Sequence, residues 1–380
     1  MINNPLFLDI HVLQTVPPSC INRDDTGSPK TARFGGVRRA RVSSQAWKKA
    51  MRDEFAHLLD EDEVGSRTKD AVGLIAEHIK TIDNEVSDDD ALKMAADALG
   101  ATGVKVKDNA TGYLLFISPR QAHALADLAH AAQEQGGKID VKAAKGVLNP
   151  KERPTLNAVD IALFGRMVAD SADLNVDAAA QVAHAIGISA SEPEFDYFTA
   201  MDDRSPEDTA GAGMIGTVEF TSSTLYRYAT VDVRHLAENL GSMKATIKAV
   251  GAFLQAFVVS MPTGKQNTFA NRTLPSAVII QLRDTQPISL VNAFELPVYA
   301  GGGKSQSRVA CERLVKQEKG IEQAFGMAPQ ETYVICSNDD EAEALSELAE
   351  PMTLHDSIER VEERVAHYLA SIGMAADDRE

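Results

Sequence analysis

The sequence predicts an α+β fold: an antiparallel sheet packed on helices, interrupted by a large helical insertion and by one protruding hairpin. Three observations carry this. Short alternating apolar runs open the chain and recur in its second half, an Ala-rich block of helical periodicity separates them, and a polar, Gly-rich stretch bounded by aromatics follows that block.

Leu6 to Leu13 is an apolar run with Asp9 and His11 at alternate positions, a strand with one better-buried face. A loop rich in Pro, Asn, Asp and Gly follows, running through Phe34-Gly35-Gly36. Val42-Ser43-Ser44 then precedes Trp47, Met51, Phe55 and Leu58-Leu59, apolar residues at helical spacing behind a serine cap. Residues 1–60 thus read as strand, long basic loop and helix. Residues 61–190 read as the helical insertion, with helices around Arg67 to Ile82, Asp88 to Leu99 and Pro119 to Gln135, a short strand near Tyr113 to Ile117, and further helical stretches at Val159 to Ala169 and Val176 to Ile186. Residues 191–220 form the extended hairpin or loop, with Phe195, Tyr197, Phe198 and Met201 before Gly211, Gly213 and Gly216. Residues 221–380 return to the sheet, with strands at Thr217 to Val233, Ala277 to Leu282 and Tyr333 to Cys336. Helices at Ser242 to Met261 and Ser305 to Phe325 alternate with these strands, and two acidic helices end the chain. Stripped of insertions, this order permits a ferredoxin-like or RRM-like core.

The chain is acidic, with a formal net charge of -17, yet its charge is segregated. Arg23 to Arg52 holds nine basic residues against Asp24 and Asp25, leaving +7, whereas Asp339 to Glu380 carries thirteen acidic residues and three arginines. A basic track on an acidic body suits a protein that binds a polyanion in one place and repels it elsewhere. Cys20, Cys311 and Cys336 are odd in number and far apart, which predicts a reducing cytoplasm and no disulfide framework. No apolar stretch is long enough to span a membrane, the first residues lack the pattern of a signal peptide, and no Cys or His pair has metal-ligand spacing. The segment Gly301-Gly302-Gly303-Lys304-Ser305 lacks the first glycine of a P-loop. No cofactor is expected.

Four features could carry chemistry. Ser43, Ser44 and Gln45 open a helix whose free N–H groups meet Lys48, Lys49 and Arg52, with Lys48 and Arg52 at i, i+4; together they offer a surface for a phosphate backbone. Reversing Lys48 and Arg52 together to Glu is expected to abolish RNA association and leave the fold intact. Lys138, Lys142 and Lys145 fall at i, i+4, i+7, one stripe on a predicted helix, suited to non-specific attraction to phosphates. Tyr197, Phe198 and Met201 could stack on or wedge between unpaired bases. Asp24 and Asp25 in the basic loop could hold Mg2+ or act as acid and base, but vicinal carboxylates more often orient neighbouring arginines.

Several stretches then resemble one family, in order from about residue 6 to 296. These are Ser19 to Asp25, Phe34-Gly35-Gly36 through Arg38-Arg39, Val42-Ser43-Ser44-Gln45 with Lys48 and Arg52, and Val159 to Leu163 through Gly165-Arg166-Met167. Phe198-Thr199-Ala200, Glu219-Phe220 through Tyr226-Arg227-Tyr228-Ala229, Pro262 to Lys265 and Asn292 to Glu295 complete the series. The pattern resembles the CasC-type subunit of the type I-E CRISPR Cascade complex, within the RAMP superfamily. The resemblance implies an RRM-like palm, helical fingers and a hairpin thumb. It implies a non-catalytic protein that polymerises along crRNA, kinks it at regular intervals and presents it to target DNA. Its partners would be crRNA, target DNA, further copies of itself, other Cascade subunits and a separately recruited helicase-nuclease, with no membrane. Carried over residue by residue, it puts Arg23, Lys30, Arg41, Ser43, Gln45, Lys48, Lys49 and Arg52 on the guide backbone, and Met167, Tyr197, Phe198 and Met201 against bases near the kinks. Lys138, Lys142 and Lys145 would attract duplex DNA. Tyr197 stands where the family can have Trp, and the last 80 residues match poorly. The alternative is a metal-dependent RAMP ribonuclease using Asp24.

Overall fold

The computed structural model describes residues 4–136, 138–200 and 214–374. The chain opens with β1 (Phe7–Ser19). The basic stretch expected as loop contains a hairpin, β2 (Thr31–Phe34) and β3 (Val37–Val42). Its turn is Gly35-Gly36, with φ of 58° and 81°. A two-residue turn with both central residues left-handed matches strand twist, and glycine adopts it without strain. Helix α1 (Ser44–Leu58) follows, its Ser43 cap accepting from the Ala46 N–H.

The insertion comprises β4 (Ser66–Thr68), α2 (Ala71–Ile82), α3 (Asp88–Ala101), β5 (Val106–Lys107), β6 (Ala110–Thr111), β7 (Leu115–Ile117), α4 (Pro119–Glu134) and α5 (Val141–Leu148). It has an apolar core of its own, built from Val72, Ile75, Ile79, Leu99, Leu125, Val147 and Leu148. Helix α6 (Val159–Phe164) leads back towards the sheet. The segment 176–186, expected to be helical, instead forms β8 (Ala180–Val182) and β9 (Ala185–Gly187), which pair with β11 (Met214–Asp232). Its apolar residues are spaced for either structure, and the unpaired edge of a long neighbouring strand decides between them.

Strand β10 (Glu194–Ala200) pairs with the outer half of β11, so the two project as a hairpin; the intervening residues 201–213, Met201 among them, lie outside the described residues. Helices α7 (Val233–Leu240), α8 (Met243–Val259) and α9 (Gln266–Phe269) precede β12 (Ala277–Arg283). Helix α10 (Gln306–Phe325), β13 (Glu331–Cys336), α11 (Asp339–Leu345) and α12 (Leu354–Ser371) complete the chain.

The main sheet is antiparallel in the order β13-β12-β1-β11-β9-β3-β2. Leu8, Ile10 and Val12 of β1 turn one face onto Met51 and Phe55 of α1 and Phe253 and Phe257 of α8. Alternation put Asp9 and His11 on a less buried face, but both are buried. Tyr228 donates to Asp9 Oδ1 at 2.9 Å, Asp9 pairs with Arg283 at 3.2 Å, and Arg283 pairs with Glu318 of α10 at 2.7 Å. His11 Nδ1 lies 2.9 Å from the Tyr226 hydroxyl. Burial pushes the Asp9 carboxyl up to about 6 and His11 down to about 3, so His11 is neutral near pH 7. The network lets α10 cover the second sheet face without leaving these polar groups dry and unpartnered.

Candidate nucleic-acid interface

The loop before α1 is tied to the helix start. Asn22 Oδ1 accepts from the Ser43 N–H at 2.8 Å, and the Asn22 carbonyl accepts from the Lys30 N–H at 3.0 Å. Ser43 is buried and serves as the cap, whereas Gln45 is exposed on the first turn. Arg23 is exposed and Lys30 half-buried. Arg41 Nε donates to the Thr31 carbonyl at 3.3 Å, and Arg41 Nη1 lies 2.9 Å from His184 Nδ1. Burial, then Arg41 and Lys30, lower the His184 pKa, so this imidazole sits in a positive field.

Not every cation of the basic window faces solvent. Arg39 is fully buried, and donates to the carbonyls of Phe34, Gly187, Phe294 and Glu295, fastening the β2–β3 hairpin to its surroundings. Arg52 donates from Nε to Asp160 Oδ2 at 2.8 Å and from Nη2 to the Gly65 carbonyl at 2.9 Å. Asp160 is fully buried and also accepts from the Gly65 N–H at 2.8 Å. Arg52 is therefore first a structural partner of a buried carboxylate. The expectation that Lys48 and Arg52 could be reversed together without unfolding is corrected: a glutamate at 52 would face Asp160 inside the protein.

Lys48 and Arg52 do share one face of α1, as i, i+4 spacing predicts, but that face abuts the insertion. Lys48 Nζ lies 5.4 Å from the Phe164 ring centroid, and the Arg52 guanidinium 4.7 Å from that of Phe116. Burial and the nearby Arg67 lower the Lys48 pKa. Lys49 is exposed and paired with Asp53. Arg67, which the sequence reading passed over, stacks at 4.4 Å on Phe116, its cross-strand partner. Nothing in the sequence could have joined them, since they lie 49 positions apart. Met167 is 80% exposed, yet Arg166 and Val168 on either side are buried. Arg166 donates to the carbonyls of Leu174 and Leu148 and to Gln121 Oε1, which fixes the Met167 backbone.

The structure thus brings Lys48, Lys49, Arg52, Arg67 and Met167 together at the junction of α1 and the insertion. Lys30 and Arg41 line a separate pocket with Asn22 before α1, and Arg23 is bridged to Pro29 beside Lys30. On the hairpin, Tyr197 and Phe195 share one face and are exposed, while Phe198 points to the other. A Cβ on Gly216 would lie 2.4 Å from the Phe198 ring, so the glycine lets that ring lie across the hairpin. The lysine stripe is corrected. Helix α5 begins at Val141 behind an Asp140 cap, so Lys138 precedes it and only Lys142 and Lys145 lie on the helix. All three are exposed, and none lies with the α1 group.

Among the described residues, no arginine pairs with Asp24. Its Oδ1 accepts from the Thr26 N–H and hydroxyl and from the Ser28 N–H, closing a tight loop. The Thr26 hydroxyl is the main cause that lowers its pKa. Among the described residues, no three His, Cys, Asp or Glu side chains converge as metal ligands, and no helix is long and apolar enough to cross a membrane.

The profile of the CT1975-like proteins matches residues 8–360. A chain of a solved CRISPR RNA-guided surveillance complex in a pre-nicking state is 32% identical. The match covers 94% of this chain and all of that one, with a TM-score of 0.79. A chain of another CRISPR RNA-guided surveillance complex is 28% identical over 93% of this chain and 99% of that one, with a TM-score of 0.59. A search of the curated proteins gives no match. These findings bear out the resemblance to subunits of CRISPR surveillance complexes, and the chain belongs to the CT1975-like family.

Proposed function

We propose that this protein is a backbone subunit of a type I-E CRISPR surveillance complex in the cytoplasm. It binds crRNA along the α1 track, joins further copies of itself and other Cascade subunits, kinks the guide at intervals and presents it to target DNA. A separate helicase-nuclease does the cutting. The observation that carries the reading is the convergence of Lys48, Arg67 and the exposed Met167 on one surface, in a chain similar throughout its length to a surveillance-complex subunit. Cations supported by aromatic rings hold a phosphate backbone, and an exposed apolar side chain on a fixed backbone meets bases. Sequence recognition then belongs to base pairing, and the protein supplies geometry.

The strand order β12-β1-β11-β9, with α1 and α8 on one face, supports an RRM-like palm. The β10–β11 hairpin corresponds to the thumb and the α2–α5 block to the fingers. The reading is tested by titrating the full chain onto crRNA and onto unrelated RNA of the same length at several salt concentrations. Saturable binding whose affinity falls steeply with salt is expected. Absence of RNA binding at low salt would overturn it.

A further inference from the structure

Helices α2 and α4 pack along a seam whose interior is Ile75, Ile79, Ala122, Leu125 and Ala126. At the solvent edge of that seam, His78 of α2 meets His123 of α4, with ring centroids 3.5 Å apart and planes at 66°. His78 is half-buried and His123 exposed, so the pair is open to water on one side. Among the described residues, neither ring makes a hydrogen bond. A histidine packed for structure alone normally engages a ring nitrogen with a carbonyl or a carboxylate.

The surroundings favour a cation. Asp127 lies one turn beyond His123 on α4 and acts on His78. Glu77 is exposed next to His78. The neighbouring cations are committed elsewhere, Lys80 to Asp88 and Arg120 to Asp62, and His130 faces Asp83 at 3.7 Å. Burial, then His123, lower the His78 pKa against the opposing effect of Asp127, so this imidazole is neutral near pH 7 and keeps a lone pair. Neutral imidazoles suit Zn2+, Ni2+ and Cu2+, whereas Mg2+ and Ca2+ prefer oxygen ligands. Among the described residues, no third His, Cys, Asp or Glu converges on the pair, which leaves water to complete the coordination.

We propose that His78 and His123 form a two-imidazole site for a divalent transition-metal cation, with Asp127 accepting from a metal-bound water. Because His123 is exposed, its ring turns without disturbing the seam, and one nitrogen from each helix faces the ion. The bound ion then ties α2 to α4 and stiffens the insertion. The site stands apart from the α1 track and does not depend on RNA binding.

The test titrates Zn2+ alone into the full chain, free of any histidine tag, by calorimetry, with thermal melting in parallel. Wild type should bind one equivalent, and its melting temperature should rise with Zn2+ concentration. His123→Ala and His78→Ala should each abolish both effects, and Asp127→Asn should weaken binding by about tenfold. His355→Ala, an exposed histidine on α12, should change neither. Melting without metal shows whether each variant folds; should His78→Ala fail to fold, the exposed His123→Ala decides. No binding by wild type up to about 0.1 mM Zn2+ overturns the site, as does binding that persists unchanged in folded His123→Ala.

Discussion

Two clusters of basic residues look alike in the sequence and differ in the fold. At the α1 junction, three of the four cations have a built support, Lys48 over Phe164, Arg52 on Asp160, and Arg52 and Arg67 on Phe116, whereas Lys49 pairs only with the exposed Asp53. Lys138, Lys142 and Lys145 are exposed on and before a short helix, and among the described residues no aromatic ring or buried carboxylate holds them. A supported cation loses less freedom on meeting a phosphate and imposes a geometry; an unsupported lysine offers a screened charge. On the proposed function, the first surface positions a backbone and the second attracts one.

The largest expected effect separates them by stability. Asp160→Ala leaves Arg52 without its buried partner and should cost about 3–5 kcal/mol in chemical denaturation. The lysine triple variant Lys138, Lys142 and Lys145→Ala should stay within about 0.5 kcal/mol of wild type. Equal destabilisation by the two would erase the distinction.

Next comes affinity. Lys48→Glu should reduce guide RNA binding by about tenfold or more in filter binding at 0.1 M salt, with the melting temperature nearly unchanged. The smallest effect belongs to the lysine triple variant. Guide binding should stay within about twofold, while capture of target duplex by the assembled complex weakens several-fold. Parallel loss of both activities would show one continuous surface instead of two.

The comparison also explains what could be read from the chain. Strand β1, helix α1 and its Ser43 cap were legible because local periodicity and capping specify them. The β2–β3 hairpin was signalled by Gly35-Gly36 between short β-forming runs, but the arginine-rich flanks read as loop. The strands β8 and β9 were not legible, since pairing with β11 makes them strands. At the site, residue types and i, i+4 spacing found Lys48 and Arg52. The same reading could not tell a free cation from one committed to Asp160, which lies 108 positions away. Asp9 and His11 show the same limit, because α10 buries a face that alternation alone leaves open.

On the proposed function the protein organises RNA and does not cut it, and one experiment tests this directly. The full chain, with guide, complementary RNA and Mg2+, is followed by native mass measurement and by denaturing gels, alongside Asp24→Ala. Cooperative assembly is expected, in which the number of bound copies grows with RNA length, with RNA that stays intact for both proteins. Binding of one copy whatever the RNA length, or cleavage at regular intervals that Asp24→Ala abolishes, would contradict it.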